Sequence, residues 1–261
     1  MTVKLSDKKT YVVANWKMNT LIEESVKLAE DIKSGLETLT SPEVIVCPPY
    51  LSLISVGEII KDSSIKLGAQ NVFWEDPGNY TGEIAPEMLK EVGVTHVIIG
   101  HSERRQNVGE TDEMIDKKVA AAIRHQLTPL LCVGETAEER RQGVQHMVIT
   151  DQVKKALRYI PPPTKRQHLK ICYEPVWSIY PGQPCDPDQA KEIATVITQA
   201  LIDIYPQNVV QENFTIIYGG SVTPENVANY VDREYIHGVL VGTASREPKT
   251  FLNIINNISA S

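Results

Sequence analysis

Five short stretches of the chain hold residue types suited to acid–base chemistry on a small anion. Glu174 closes the apolar run LKICYE (169–174) and precedes Pro175. A carboxylate held in reach of a carbon acid and partly withdrawn from water can remove a proton beside a carbonyl; a helix cap or ion pair is the other reading of such a residue. His101 opens HSERR (101–105) directly after HVIIG (96–100). If Ser102-Glu103 begins a helical turn, the positive end of that turn disfavours an imidazolium. A neutral ring can still donate to a carbonyl and pass protons between oxygens, although a satisfied core histidine has the same sequence signature. Lys17 stands two residues after Asn15, behind YVVANW (11–16). Its ammonium there would offset charge developing on an oxyanion, with Asn15 donating to the same oxygen; the alternative is a solvated surface lysine. Glu103 fits support of Lys17 and its loop better than direct chemistry. Gly219-Gly220-Ser221 and Gly242-Thr243 are turns whose backbone N–H groups could hold a phosphate. Either alone reads as a tight turn, but two such turns carry more meaning.

These stretches share a position, each at the end of a run of Val, Ile and Leu. The runs are YVVANW (11–16), EVIVCP (43–48), IKLGAQ (65–70), HVIIG (96–100), PLLCVG (129–134), LKICYE (169–174), FTIIYGG (214–220) and IHGVLVG (236–242). Without polar alternation they read as parallel strands buried on both faces. Helical spacing predicts helices over 21–39, 111–125, 136–159 and 188–205, the last with Pro187 suited to its first turn. Shorter helices are expected near 51–61, 86–92, 224–229 and 248–257. Strand followed by helix eight times, with no composition break, predicts a closed (β/α)8 barrel forming a single domain over 1–261. The 261 residues match the roughly 250 such a barrel uses. An open, doubly wound sheet is the alternative. In the barrel, the carboxyl ends of the strands carry the active site, and all five stretches lie at such ends.

Composition narrows the function further. With 42% hydrophobic and 23% charged residues the chain can bury a large core. A net charge of −7 argues against a nucleic-acid surface and requires a locally favourable pocket for any anionic substrate. No stretch approaches the roughly 20 apolar residues of a membrane span, and the N-terminal sequence has no leader pattern. Cys47, Cys132, Cys172 and Cys185 form no CxxC pair, so neither a metal site nor a disulfide framework is expected, and a reducing cytoplasm fits best. No Walker motif or dinucleotide fingerprint is present, and no cofactor is expected.

The motifs ANWKMN (14–19), AQN (69–71), TGE (81–83), GHSERR (100–105), GETDE (109–113), CVGET (132–136), YEPVW (173–177) and YGGSV (218–222) run in order along the chain. In type and sequence they resemble triosephosphate isomerase. The resemblance implies a TIM-barrel fold and cofactor-free interconversion of dihydroxyacetone phosphate and D-glyceraldehyde 3-phosphate through an enediolate, in glycolysis and gluconeogenesis. It implies that Glu174 shuttles the proton between C1 and C2, with His101 as electrophile beside Lys17 and Asn15. Ser102 and Glu103 take supporting positions. Tyr180, Ser221, Gly242 and Thr243, with Asn15 and Lys17, become the substrate and phosphate contacts. It also implies a homodimer, through a loop at 71–85 that carries Phe73, Trp74, Tyr80 and Thr81. The chain departs from the family pattern in the lid, PVWSIYPGQPCDP (175–187), where Tyr180 replaces a glycine and Pro181 and Pro184 are unusual. Thr243 replaces a second glycine, and a left-handed backbone there would be poorly tolerated. The altered lid keeps open an isomerase of a four-carbon ketose phosphate; a non-catalytic barrel is a further alternative, against which the retention of Asn15, Lys17, His101 and Glu174 argues.

Overall fold

A strand with apolar side chains on both faces must be covered by helices on one side and by its own barrel interior on the other. The computed structural model describes residues 9–36, 42–164, 168–179, 184–232 and 234–260. In it, eight parallel strands close in sequence order: β1 Tyr11–Asn15, β2 Glu43–Cys47, β3 Lys66–Ala69, β4 His96–Ile99, β5 Thr128–Val133, β6 Leu169–Tyr173, β7 Phe214–Tyr218 and β8 Gly238–Val241. Tyr11–Ala14 of β1 pair with Gly238–Val241 of β8. That closure decides for the barrel and against the open sheet. Each apolar run forms a strand, within two residues at either end.

The helices are α1 Ile22–Gly35, α2 Leu53–Ile60, α3 Pro86–Glu91, α4 Ser102–Asn107, α5 Asp112–Arg124, α6 Ala137–Arg141, α7 Gln145–Ala156, α8 Pro187–Ile202, α9 Gln207–Asn213, α10 Val227–Tyr230 and α11 Pro248–Ala260. Two differ from the sequence expectation. The helix expected over 136–159 is broken into α6 and α7 at Gly143, whose φ of 72° is cheap only for glycine. The short α9, opened by Pro206, lies outside the helices that apolar spacing predicts. The end of the helix expected over 21–39 lies partly outside the described residues. Caps fix where the site-facing helices begin. Asp186 accepts from the N–H groups of Asp188 and Gln189, with Pro187 in the first turn of α8. Thr136 and Glu139 cap each other's backbone at the start of α6.

Inside the barrel Val13, Ile45, Cys47, Ile98, Leu130, Cys132, Cys172, Ile217 and Leu240 pack together. A larger apolar layer joins strands to helices. The amino-terminal mouth is polar: Lys170 is 2% exposed, and its ammonium sits 4.1 Å from the centroid of the Tyr11 ring. Burial pulls the Lys170 pKa down to about 8, against the pull of Glu43. Burial, with Lys170 and Lys66, also holds His96 well below the usual histidine range. The approach of His96 to Glu43 at 3.9 Å is therefore not an ion pair. Among the described residues no helix is long and apolar enough to cross a membrane.

Candidate active site

The strand order carries Asn15, Lys17, His101, Gly219, Gly220, Ser221, Gly242 and Thr243 to one cavity at the carboxyl end of the barrel. Its volume of about 150 Å³ is well below that of a pocket for a drug-sized ligand. Ile179, Val222, Leu240 and Ala244 complete the wall.

Lys17 has a left-handed backbone, with φ at 55°. A non-glycine residue holds that conformation only where its surroundings over-determine it. Here its N–H donates to Asn15 Oδ1 at 3.0 Å, and the Gln70 amide donates to its carbonyl at 2.8 Å. The same Gln70 amide donates to the Cys47 carbonyl at 3.0 Å, so β2 also braces the turn. The Lys17 ammonium donates to Glu103 Oε1 at 2.6 Å. Glu103 thus lies where it can aim Lys17.

His101 caps α4. The Glu103 N–H donates to its Nδ1 at 3.2 Å. A ring that accepts at Nδ1 carries its proton at Nε2, and Nε2 lies 3.1 Å from Glu174 Oε1. Glu174 is 2% exposed, and the Ser102 N–H donates to its Oε2 at 2.9 Å. In this position the carboxylate borders a smaller recess with Ser102, Gly134, Thr136 and Gln152 rather than the main cavity. Two glycines make room for it. A Cβ on Gly134 would lie 1.7 Å from the Glu174 carbonyl oxygen, and one on Gly219 would lie 3.0 Å from Glu174 Cγ.

The chain after Glu174 is rooted by a buried carboxylate. Glu135 Oε1 accepts from Trp177 Nε1–H at 2.7 Å, from the Tyr173 hydroxyl at 3.1 Å and from Arg140 at 2.9 Å. The Arg140 guanidinium also lies 4.6 Å from the centroid of the Trp177 ring. On the phosphate side, Gly242 has φ −86°. Thr243 is not among the described residues with positive φ, so its β-branched side chain fits without the strain feared from its sequence position.

With this geometry in place, comparison with known proteins assigns the family. The family model for triosephosphate isomerase matches residues 10–258. The chain belongs to the triosephosphate isomerase family. It is 42% identical to the triosephosphate isomerase of Dictyoglomus turgidum over 94% of this chain and 98% of that one. It is equally 42% identical to that of Aquifex aeolicus, over 94% and 97%. Its fold is similar to the crystal structure of triosephosphate isomerase from Bartonella henselae, with a TM-score of 0.86 at 34% identity, covering 97% of this chain and 100% of that one.

Within this family member, the sequence reading left four groups unmarked: Gln70, Gly134, Glu135 and Ile179. Gln70 and Glu135 sit inside quoted motifs, one and two residues past the ends of β3 and β5, and that is their available signal. Tyr180 and Pro181 lie outside the described residues. The fold also gathers donors that sequence spacing does not reveal: the two thiols of Cys132 and Cys172, on paired strands, lie with a Glu174 oxygen within 4.8 Å of one another. Burial raises both thiols above the usual cysteine range.

Proposed function

We propose that this cavity interconverts dihydroxyacetone phosphate and D-glyceraldehyde 3-phosphate with Glu174 as the base. The chain's family supplies the reaction, the resemblance supplies the residue roles, and the geometry supports them. The observation that carries them is the Glu174 carboxylate, 3.1 Å from His101 Nε2 beside a cavity lined by Asn15 and Lys17.

Rotation of the Glu174 side chain about its staggered torsions exchanges the Ser102 N–H for the substrate carbon. The carboxylate then takes a proton from C1 of the ketose and returns it to C2. His101 donates from Nε2 to the carbonyl oxygen and relays the proton between O1 and O2, while Lys17 and the Asn15 amide offset the enediolate charge. The N–H groups around Ser221, Gly242 and Thr243 receive the phosphate. No step calls for a cofactor or metal.

The same reading makes 1–261 a single domain that works in the cytoplasm as a homodimer. The loop at 71–85 supports the dimer. Its base is closed on itself by Phe73 N–H to the Ile84 carbonyl at 2.9 Å and tied to the segment after β2 by the Tyr50 hydroxyl to the Asn71 carbonyl at 2.5 Å. Its tip, including Tyr80 and Thr81, is exposed, and so are Leu51 beside Tyr50 and Met18 beside Lys17. Exposed large apolar side chains of that kind are what a partner surface would cover.

A coupled assay on purified protein with triose phosphates, a four-carbon ketose phosphate and no added metal tests the proposal. Turnover of triose phosphate that collapses in Glu174→Gln is expected. Preference for the four-carbon substrate would overturn the substrate assignment, and an inert wild-type protein would overturn catalysis.

A further inference from the structure

Behind the Gly219–Ser221 turn lie two stacked tyrosines that no step above uses. Tyr218 ends β7, and Tyr230 ends α10; their ring centroids are 4.0 Å apart, with planes 11° from parallel. Both are buried. The place where Gly220 would carry a Cβ is 2.2 Å from the Tyr218 hydroxyl oxygen and 2.9 Å from Ser178 Oγ. The Tyr218 ring therefore sets how deeply the turn sits. Tyr230 fixes that ring from below. Its own hydroxyl donates to the Cys185 carbonyl at 2.6 Å, and Cys185 immediately precedes Asp186, the cap of α8. One side chain thus joins the turn after β7, helix α10 and the segment that enters α8. The turn is also held from above, since the Asn226 amide donates to the Ser221 carbonyl at 3.2 Å.

We propose that Tyr230 is a positioning residue for the phosphate subsite: its ring seats Tyr218 under Gly220, and its hydroxyl locks that seat to Cys185. The inference rests on reading the Gly219–Ser221 turn as that subsite. Without the hydroxyl a buried carbonyl loses its donor, and the segment must shift or the ring must tilt to relieve it. Either motion reaches Gly220, because the Tyr218 hydroxyl already fills the space a Cβ would take. Backbone N–H donors displaced by a few tenths of an ångström bind phosphate less well, whereas Glu174, His101 and Lys17 are held by other contacts. The effect should therefore appear only when the substrate carries its phosphate.

The test compares wild type, Tyr230→Phe and Tyr230→Leu on D-glyceraldehyde 3-phosphate and on phosphate-free D-glyceraldehyde, with inorganic phosphate as competing ligand. Tyr230→Phe keeps the ring and loses one buried hydrogen bond. Its kcat/KM on the phosphorylated substrate should fall roughly 5–10-fold, and its inhibition constant for inorganic phosphate should rise by a similar factor. Its kcat/KM on D-glyceraldehyde should change less than about twofold, because only phosphate contacts are lost. Tyr230→Leu, which also loses the stack, should exaggerate the same split. Equal losses on both substrates would make Tyr230 a general structural residue, and no loss on either would make it irrelevant; each overturns the proposal. Failure of the underlying subsite reading shows separately in wild type, as indifference to inorganic phosphate.

Discussion

Replacing Lys170 by Met should stabilise the protein, and the gain should vanish at high pH. Burial lowers Lys170 from the usual 10.5 to about 8, a gap of about 2.5 pH units. At 1.36 kcal/mol for each, the native state carries a penalty of roughly 3 kcal/mol at neutral pH. Methionine has similar length and no charge to desolvate, so the net gain is about 3 kcal/mol. Unfolding entropy near 2.1 cal/mol/K per residue over 261 residues is about 0.55 kcal/mol/K. The gain then raises Tm by about 5 °C. Its pH dependence has a definite sign. Below pH 8 both folded and unfolded states hold the proton, and the penalty is full. Between about 8 and 10.5 the unfolded state binds a proton that the native state has released, so wild-type stability recovers as pH rises. Above 10.5 neither holds it, and the two proteins converge. Tyr11, pushed up to about 12, titrates beyond that window, and groups common to both proteins cancel in the difference. Scanning calorimetry of both proteins from pH 7 to 10.5 reads this directly. Activity should be unchanged, since Lys170 lies four residues down β6 from Glu174, roughly 13 Å along the strand. A less stable Met variant, or a difference constant with pH, would refute the reasoning.

Glu174→Gln should lower kcat by on the order of 10³-fold, within the span general-base catalysis supplies; a near-normal rate in the coupled assay would mean another base. Dialysis against a chelator should leave the rate unchanged, and loss restored by metal would direct attention to Cys132, Cys172 and Glu174. Light scattering should give about twice the 29.1 kDa chain mass, and a stable, fully active monomer would contradict the dimer. Glu110→Ala should cost about 3–5 kcal/mol, measured by denaturant titration. It strands the buried Lys118 ammonium, which lies 3.0 Å from Glu110 and donates to Asn71 at 2.8 Å; a loss below 1 kcal/mol would show that Lys118 is neutral or finds water.

The eight strands were legible because a strand buried on both faces has no choice of side chain on either, as VIVC in β2 and TIIY in β7 illustrate. The helix break at Gly143 was not legible, since apolar positions continue at helical spacing on both sides and one glycine does not stop a helix by composition alone. The candidate site was readable wherever its residues sit at strand ends, as Asn15, His101 and Glu174 do. What the sequence could not convey were distances between strands. The Ser102 N–H holding Glu174, the Gln70 amide under Lys17 and the Cys132–Cys172 proximity all join residues that only barrel closure brings together. Lys170 is buried on the same principle: it shares a face of β6 with Cys172 and Glu174, so the strand alternation that points Glu174 into the barrel also points Lys170 inward.

The close approach at Gly134 has a bearing on how this sequence can change over time. Because a methyl group there would overlap the Glu174 carbonyl oxygen, even alanine would push β5 and β6 apart at the reacting end, tilting the carboxylate away from His101. The position therefore has no stepping stone: no sequence of single replacements passes through it with turnover intact. Thr243, by contrast, sits on an unstrained backbone and has room to vary. In a saturation library selected for growth on triose flux, codon 134 should return glycine alone, while codon 243 tolerates a range of residues.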